Sequence, residues 1–288
     1  MLIDLTIIIL SYKSKKHLTK LLPSLYLSVC SFTYEIIVVD NDSGDGTAEF
    51  VEIQEKKYQN LKLIRNSNNG FAAGNNIGIK QSSGRYILLL NPDTEVNPET
   101  IQVMLDFMEK NPDVGMSGCK LIREDGSLDL ACRRRFPNPW NSFQRLFLGN
   151  NTNYNYSNIS EDQEMEVESI VGAFMLVRKN VIKKIGLLDE QFFMYGEDLD
   201  WCFRCKEAGF KVWYYPKTFI HHYKGQSSKK APFKALKWFH DSMWIFYKKH
   251  YWNSYSLFFH VLVWLGIYTR LLVLTTLNFF KKTPRVSR

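Results

Sequence analysis

The chain has 288 residues, of which 45% are apolar and 23% charged, a composition typical of globular proteins that excludes a disordered, collagen-like or disulfide-scaffold chain. Its five cysteines form no even framework, and an acid at position 4 with no small-residue cleavage site after the first apolar run argues against a signal peptide, so we expect a reducing, cytoplasmic context. The formal net charge of +8 is uneven, because residues 1–228 carry −2 and residues 229–288 carry +10.

The first 110 residues alternate between buried strands and helices. Near-continuous runs of β-branched residues and leucine are typical of strands covered on both faces, and their alternation with helices indicates βαβ units in a mostly parallel sheet. Strands are predicted at Leu5–Leu10, Glu35–Val39, Leu61–Ile64 and Tyr86–Leu90, and helices at 15–29, 47–57, Gly74–Gln81 and Pro98–Glu109.

After residue 112 the pattern is less regular. We expect residues 113–165 to be irregular and to include a mobile loop at 150–160, which is rich in Asn, Tyr and Ser. The remainder up to residue 228 completes one α/β domain. Its predicted elements are a strand at Val167–Val177, a helix at Asp198–Ala208 and a strand at Val212–Tyr215.

Polar clusters follow three of the predicted strands, at Ser11–Ser14, Asp40–Gly46 and Asn91–Asp93. Ligands of open parallel sheets bind at the carboxyl ends of the strands, so three such clusters favour a ligand site over simple turns. A carboxylate placed like Asp93 either caps a helix or binds a divalent cation beside a diphosphate. The small residues of Asn68–Gly78 allow close backbone approach to a ligand, but they match neither the dinucleotide fingerprint nor a P-loop.

Two further segments carry titratable side chains. Glu197 and Asp198 lie at the start of a predicted helix, where acids complement the helix dipole and where one of them is also well placed as a general base. His221 and His222 follow a predicted strand, and a histidine there is either a structural side chain or a metal ligand.

In this order, the motifs resemble those of glycosyltransferase family 2, the inverting nucleotide-sugar enzymes of the GT-A fold, and especially its rhamnosyltransferase-like branch. The resemblance runs from Leu5 to about Ser227 and implies a Rossmann-like, mostly parallel sheet with flanking helices. The residues that carry it are Val38–Thr47, Asn69–Asn76, Leu89–Asp93, Gly172–Arg178, Tyr195–Trp201 and His222-x-x-Gly225-x-Ser227.

The resemblance implies a base and a donor site. Asp198 would be the catalytic base, with Glu197 as the alternative. One carboxylate suffices, because inverting transfer is a single in-line displacement in which the acceptor hydroxyl loses its proton. Asp40 would contact the pyrimidine base of a nucleoside-diphosphate sugar. The nucleotide-sugar site would comprise Ser11, Asp40, Asn41, Ser43, Asn69, Gly70, Gly74, Asn75 and Asn91.

The resemblance also implies a metal site for Mg²⁺ or Mn²⁺. Asn91-Pro92-Asp93 takes the place of a D-x-D motif, so Asp93 would bind the metal, while Asn91 replaces the first acid. His222 would be a further ligand, with His221 as the alternative if the register differs by one residue. A divalent cation would stabilise the charge that grows on the leaving diphosphate.

Residues 229–288 are predicted to form a helical segment that is both basic and apolar. Its Leu257–Phe280 stretch carries one formal charge, Arg270, and is long enough to span about 30 Å of hydrocarbon. Lysine pairs on both sides fit an anionic membrane surface better than a nucleic acid. The alternative is a buried helix of the soluble domain, or a pair of helices broken near Gly266. We expect membrane association, either peripheral or anchored by this segment.

The resemblance, together with the C-terminal segment, implies a metal-dependent hexosyltransferase of cell-surface polysaccharide synthesis at the cytoplasmic face of the cell membrane. The branch implies transfer from deoxythymidine-diphosphate rhamnose, or from a UDP-sugar, to a hydroxyl of a lipid-linked or polysaccharide acceptor. One alternative is a catalytically inactive nucleotide-sugar-binding subunit of a membrane glycan-assembly complex, against which the joint presence of Asp93, Asp198 and His222 argues. A nucleotidyltransferase would need a Gly-rich basic loop where the chain has Ser11-Tyr12-Lys13-Ser14.

Overall fold

Buried aliphatic runs build a single mixed sheet in the computed structural model, which describes residues 3–28, 31–223 and 231–280. The sheet order is β3-β2-β1-β4-β8-β6-β9-β5, with β7 also paired to β9. The strands are β1 (Leu5–Ser11), β2 (Tyr34–Asn41), β3 (Leu61–Asn66), β4 (Tyr86–Leu90), β5 (Thr94–Val96), β6 (Val114–Ile122), β7 (Met165–Val167), β8 (Phe174–Arg178) and β9 (Lys211–His222).

The predicted α/β class with a mostly parallel sheet and flanking helices is confirmed. Strands β1 to β4 pair in parallel, so their carboxyl ends share one edge of the sheet. Strand β8 is antiparallel to both β4 and β6, while β6 and β9 are parallel. The helices are α1 (Lys15–Tyr26), α2 (Thr47–Glu55), α3 (Phe71–Gln81), α4 (Thr100–Lys110), α5 (Pro139–Phe147), α6 (Thr152–Asn155), α7 (Lys179–Ile185), α8 (Glu197–Glu207), α9 (Pro232–Tyr251) and α10 (Leu257–Phe279).

The prediction that 113–165 is irregular is wrong. It contains β6, a central strand of the sheet, as well as α5 and α6. The segment predicted as a mobile loop includes α6, and Tyr154, Asn155 and Tyr156 there are buried. Strand β6 carries two glycines and polar residues, Val-Gly-Met-Ser-Gly-Cys-Lys, so its sequence lacks the aliphatic run by which β1 and β2 are recognised.

The predicted strand Val167–Val177 is also wrong as a single element. The structure divides it into β7 and β8, which pair with different strands. Strand β9 continues through Pro216 to His222, beyond the predicted end at Tyr215. Its register against β6 shifts between Cys119 and Lys120, the irregularity that accommodates the proline.

The C-terminal segment is helical and includes an apolar helix, as predicted. Helix α9 joins the α/β domain through a second apolar cluster of Phe192, Leu199 and Phe246. Helix α10 runs unbroken through Gly266 and is long and apolar enough to cross a membrane, yet only 11% of its most apolar stretch is buried. A buried core helix therefore does not describe it. The predicted domain boundary at 228, with Cys30, Gly225, Ser227 and residues 281–288, lies outside the described residues.

Candidate active site

The ends of β1 and β2 present two buried polar atoms that have no hydrogen-bond partner among the described residues, Ser11 Oγ and Asp40 Oδ1. The two residues are register partners, so these atoms share one edge of the sheet. The other Asp40 oxygen accepts from the Ser43 backbone N–H at 3.3 Å, and Ser43 Oγ accepts from the Lys13 N–H at 2.9 Å. Buried polar groups are almost always paired, so two open ones together indicate a ligand position.

The predicted donor-site residue Asn41 uses both of its amide atoms within the protein. Its Nδ2 donates to Asn68 Oδ1 at 2.9 Å, and its Oδ1 accepts from Asn66 Nδ2 at 2.7 Å. These bonds tie the end of β2 to the segment that leads into α3. Asn69, in that segment, is exposed and donates to Ser67 Oγ at 3.2 Å.

The glycines before and within α3 allow tight backbone packing. Gly70 has φ +96°, and a Cβ there would lie 2.5 Å from the Phe193 carbonyl oxygen. A Cβ on Gly74 would lie 2.4 Å from Leu10 Cδ1 at the end of β1. Asn75 donates to the Phe71 carbonyl at 2.9 Å. This predicted group therefore holds α3 against the sheet edge and against the loop before α8.

Asp198 is held by a buried ion pair at the start of α8. Arg134 Nη2 donates to Asp198 Oδ2 at 2.9 Å, and both side chains are buried. The same oxygen faces the Gly172 N–H at 3.4 Å, and Asp198 Oδ1 accepts from the Leu199 N–H at 2.7 Å. These donors stabilise an ionised carboxylate.

Glu197 differs from its neighbour in its electrostatics. Its Oε2 is buried and has no partner among the described residues. Burial, followed by repulsion from Asp198, raises the pKa of Glu197 to about 8. Glu197 therefore binds its proton more tightly than an ordinary glutamate does.

The third acid of this motif, Asp200, joins α8 to α9. Arg204 Nη2 lies 2.7 Å from Asp200 Oδ2, while Lys249 Nζ and His250 Nε2 lie 2.8 and 2.9 Å from Oδ1. Burial would raise the pKa of Asp200, but the hydrogen bond from His250 and the positive charges of Arg204 and Lys249 hold it at about 2. Asp200 is thus a structural anchor for the C-terminal helices.

Backbone contacts bring the start of α8 to the end of β4. The Asn91 N–H donates to the Ala173 carbonyl at 3.0 Å, and the adjacent Gly172 N–H faces Asp198. The predicted D-x-D position and the predicted base therefore lie on two sides of one turn, residues 172–173, although 107 positions separate Asn91 from Asp198 in the sequence.

Asp93 and His222, the two predicted metal ligands, lie close together. His222 Nε2 lies 3.6 Å from Asp93 Oδ1, and His222 Nδ1 lies 3.1 Å from Asp129 Oδ2. Burial lowers the pKa of His222, but hydrogen bonds with Asp129 and Asp93 outweigh it and raise the pKa. Within the described ranges, no group of three or more His, Cys, Asp or Glu side chains is arranged to hold a metal.

This pair has the chemistry of a two-ligand site that substrate oxygens would complete. Imidazole and carboxylate suit a divalent cation such as Mn²⁺, and a metal-binding histidine usually gives its other ring nitrogen to a carboxylate. Asp129 is in that position. His221 is the weaker candidate, because neighbouring residues of a strand face opposite sides and only His222 is buried against Asp93.

Two site residues, Arg134 and Asp129, were missed by the sequence interpretation. Arg134 lies in an arginine triplet, residues 133–135, which is a visible signal in an otherwise polar segment. Asp129 has no such signal, because an acid after Gly126-Ser127-Leu128 reads as an ordinary turn residue. Its burial, and its contact with His222 from 93 residues away, belong to the tertiary structure.

Backbone strain is concentrated around the site. Three of the four non-glycine residues with positive φ in the described chain are Lys13 (52°), Asp42 (61°) and Tyr195 (72°). They follow β1, follow β2 and precede α8, respectively. Left-handed backbone is unfavourable for lysine and tyrosine, is tolerated better by aspartate, and tends to occur at functional sites.

The family model described as glycosyl transferase family 2 matches residues 6–186, more than half of the chain. The chain belongs to glycosyltransferase family 2. The predicted resemblance is confirmed, as is its GT-A fold.

Named relatives support the rhamnosyltransferase-like branch. The chain is 28% identical over 261 residues to the N-acetylglucosaminyl-diphospho-decaprenol L-rhamnosyltransferase of Mycobacterium tuberculosis, covering 84% of this chain and 83% of the relative. It is 28% identical over 240 residues to rhamnosyltransferase WbbL of Escherichia coli K12, covering 81% and 88%. In fold it is similar to the mannosyltransferase PcManGT of Pyrobaculum calidifontis in complex with GDP-Man and Mn²⁺ (TM-score 0.61, 14% identity, 98% and 76% coverage).

Proposed function

We propose that this family 2 member is an inverting glycosyltransferase that moves a sugar, rhamnose being the first candidate, from a nucleoside-diphosphate sugar to a hydroxyl of a membrane-bound glycan acceptor. The observation that carries the proposal is the position of Asp198, an ionised and buried carboxylate connected to the end of β4 through residues 172–173. A glycosyl-transfer base needs this combination of a fixed carboxylate and an adjacent donor site.

The reaction is a single displacement. The acceptor oxygen forms a bond to the anomeric carbon from the face opposite the diphosphate, the bond to the diphosphate oxygen breaks, and Asp198 takes the hydroxyl proton. General base catalysis of this kind contributes about 10²–10⁴-fold. Because one displacement occurs, the product has the opposite anomeric configuration to the donor.

The donor would lie across the ends of β1, β2 and β4. Ser11 Oγ and Asp40 Oδ1 are the open polar atoms there, and a pyrimidine base offers both hydrogen-bond donors and acceptors to match them. The diphosphate would face Asp93 and His222. These two residues would hold Mg²⁺ or Mn²⁺, which when bound supplies charge neutralisation for the departing nucleoside diphosphate.

Rhamnose and a lipid-linked acceptor are proposed from the relatives. Two of them are rhamnosyltransferases, and the mycobacterial one is named for a decaprenol-linked acceptor. The exposed apolar α10 and the +10 charge of residues 229–288 support a site at the cytoplasmic face of the cell membrane.

Donor screening tests this function. Purified full-length protein is incubated with dTDP-, UDP- and GDP-sugars, Mg²⁺ or Mn²⁺ and a membrane lipid extract, and release of nucleoside diphosphate is measured against the Asp198→Asn variant. We expect acceptor-dependent release with one donor, dTDP-rhamnose first, and NMR of the product should show inverted configuration. Absence of release with every donor, or retained configuration, would contradict the proposal.

A further inference from the structure

An apolar groove of about 510 Å³ runs between α5, α9 and α10, away from the donor site. Its volume is in the range of pockets that hold small-molecule ligands. The α5 wall is a stacked row of aromatic rings, Trp140 on Phe143 and Phe143 on Phe147. Phe246 of α9 and Phe259 and Leu262 of α10 line the opposite side.

One cation, Arg270, lies in the lining of this groove. Its Nη1 donates to His240 Nε2 at 2.9 Å, and His240 Nδ1 donates to the Leu236 carbonyl at 2.8 Å. His240 is therefore a neutral acceptor and leaves the charge of Arg270 uncompensated. In the part of the chain that the structure describes, no carboxylate lies within 4 Å of Arg270. A half-buried cation without a counter-ion is costly, so this position favours the binding of an anionic ligand.

The stretch of α9 that contacts Arg270 also contacts the loop before α8. Around His240, helix α9 packs on the loop before α8, where Trp238 stacks on Phe193 with ring centroids 4.4 Å apart. A Cβ on Gly196, the residue before Glu197, would lie 3.3 Å from Ser242 Cβ. Helix α9 is therefore shared between the Arg270 side of the groove and the loop that leads into α8.

The α5 wall of the groove is connected through the chain to Arg134, the partner of Asp198. Helix α5 begins at Pro139, five residues after Arg134, the partner of Asp198. Phe136, between them, packs against Phe246 of α9 with ring centroids 6.3 Å apart. Both walls of the groove are thus continuous with segments that hold the proposed base.

We propose that this groove binds the hydrocarbon chain of a lipid-phosphate acceptor and that Arg270 contacts the phosphate. This inference rests on the proposed transferase function and names the acceptor subsite. The apolar chain matches the apolar walls, and the anionic head matches the uncompensated Arg270. The groove is also bordered by α5, which follows Arg134, and by α9, which packs on the loop before α8.

Gly266 offers a variant that fills the groove without disturbing the fold. It lines the groove, and a Cβ added there meets no atom within 4 Å. Leucine also favours helix more than glycine does, so Gly266→Leu should fold. Thr269→Leu is the matched control, because it places the same side chain at an exposed position of α10 that does not line the groove.

Binding of labelled farnesyl diphosphate to full-length protein in detergent micelles tests the site, with saturating nucleoside diphosphate present to occupy the donor site. We expect Gly266→Leu to weaken binding at least tenfold and Thr269→Leu to change it less than twofold. Arg270→Gln should weaken the binding of farnesyl diphosphate but not that of farnesol. Arg270→Lys should retain part of the affinity for farnesyl diphosphate. Equal effects of the two leucine variants, or no effect of Arg270→Gln, would overturn the proposal.

Competition and transfer assays separate the remaining outcomes. Displacement of the probe by phosphatidylglycerol at equal concentration would make the groove a general phospholipid site and overturn the acceptor assignment. If farnesyl diphosphate binds as expected but no sugar is transferred to any acceptor, the proposed function fails while the lipid-phosphate site stands. If transfer occurs and Gly266→Leu leaves it unchanged for both long-chain and chain-free acceptors, the function stands and the groove assignment fails.

Discussion

Arg134 and Asp198 form a buried ion pair with 2.9 Å between Nη2 and Oδ2, across 64 residues of sequence. The pair fixes the proposed base in its ionised form and also links the segment before α5 to the start of α8. Glu197, the adjacent acid, has no such partner among the described residues and has a pKa of about 8. The difference between the two acids leads to the first three predictions.

Asp198→Asn should lower turnover by about 100-fold or more while leaving donor affinity unchanged, because asparagine keeps the shape but cannot accept a proton. Glu197→Gln should lower turnover markedly less. Steady-state release of nucleoside diphosphate and donor binding by calorimetry check both. A larger loss in Glu197→Gln than in Asp198→Asn would transfer the base role to Glu197, and kcat/KM of the wild type would then rise as pH approaches 8.

Arg134→Met should destabilise the fold by about 3–5 kcal/mol, because it leaves Asp198 as an unpaired buried charge. The double variant Arg134→Met, Asp198→Asn should lose less stability than the two single variants lose in sum, because it removes both charges of the pair. Urea unfolding of the four proteins under identical detergent conditions measures the coupling. Additive losses would mean that the ion pair makes no specific contribution to stability.

Glu197 should make the stability of the fold depend on pH. Its pKa is about 8 in the folded protein, against an ordinary value of 4.5, so the folded state holds the proton more tightly than the unfolded state. This contribution is fully present below about pH 4.5 and is lost as pH rises through about 8, at a cost of a few kcal/mol. In Glu197→Gln the free energy of unfolding should depend less on pH between pH 5 and 8. An unchanged slope of unfolding free energy against pH would contradict the assigned pKa.

Asp93→Ala should weaken both donor binding and the divalent-cation dependence of turnover, because the metal and the diphosphate are proposed to share one site. His222→Ala should do so more strongly than His221→Ala, which changes a residue on the opposite face of β9. Titration of activity with Mn²⁺ and Mg²⁺ in each variant measures the effect. Full wild-type activity in excess chelator would exclude the metal-dependent mechanism.

Truncation after about residue 250 should move the protein from the membrane to the soluble fraction, because it removes α10 and its exposed apolar surface. Each Lys or Arg near an anionic surface contributes about 1 kcal/mol, so high salt should partly release the full-length protein. Donor binding serves as the folding control. Resistance of the full-length protein to both salt and alkaline wash would indicate that α10 spans the membrane. Full-length protein that is soluble without detergent and does not bind anionic vesicles would contradict membrane association.

The sequence alone was enough to predict the half of the sheet that would carry the proposed donor site. Strands β1, β2 and β4 are short aliphatic runs bounded by polar turns, and this local signal survives because each of them is largely buried within the sheet. Ser11, Asp40 and Asp93 lie at or just beyond the carboxyl ends of these strands, so their common edge could be inferred from chain order. Strand β6 could not be recognised, because its glycines and Ser117 fit a strand only once β8 and β9 lie on both sides.

The difference in electrostatic surroundings between Glu197 and Asp198 arises from the tertiary structure. Both acids have the same local sequence context, and a motif alone leaves the two roles open. Arg134 arrives from 64 residues away and stabilises the charge of Asp198, while Glu197 is buried without a counter-ion among the described residues. Asp129 likewise contacts His222 from a distant turn, 93 residues away in the sequence. Sequence order determined where the polar groups lie along the chain, whereas burial and distant partners determined their charge, because the cost of a buried charge depends on what the fold places beside it.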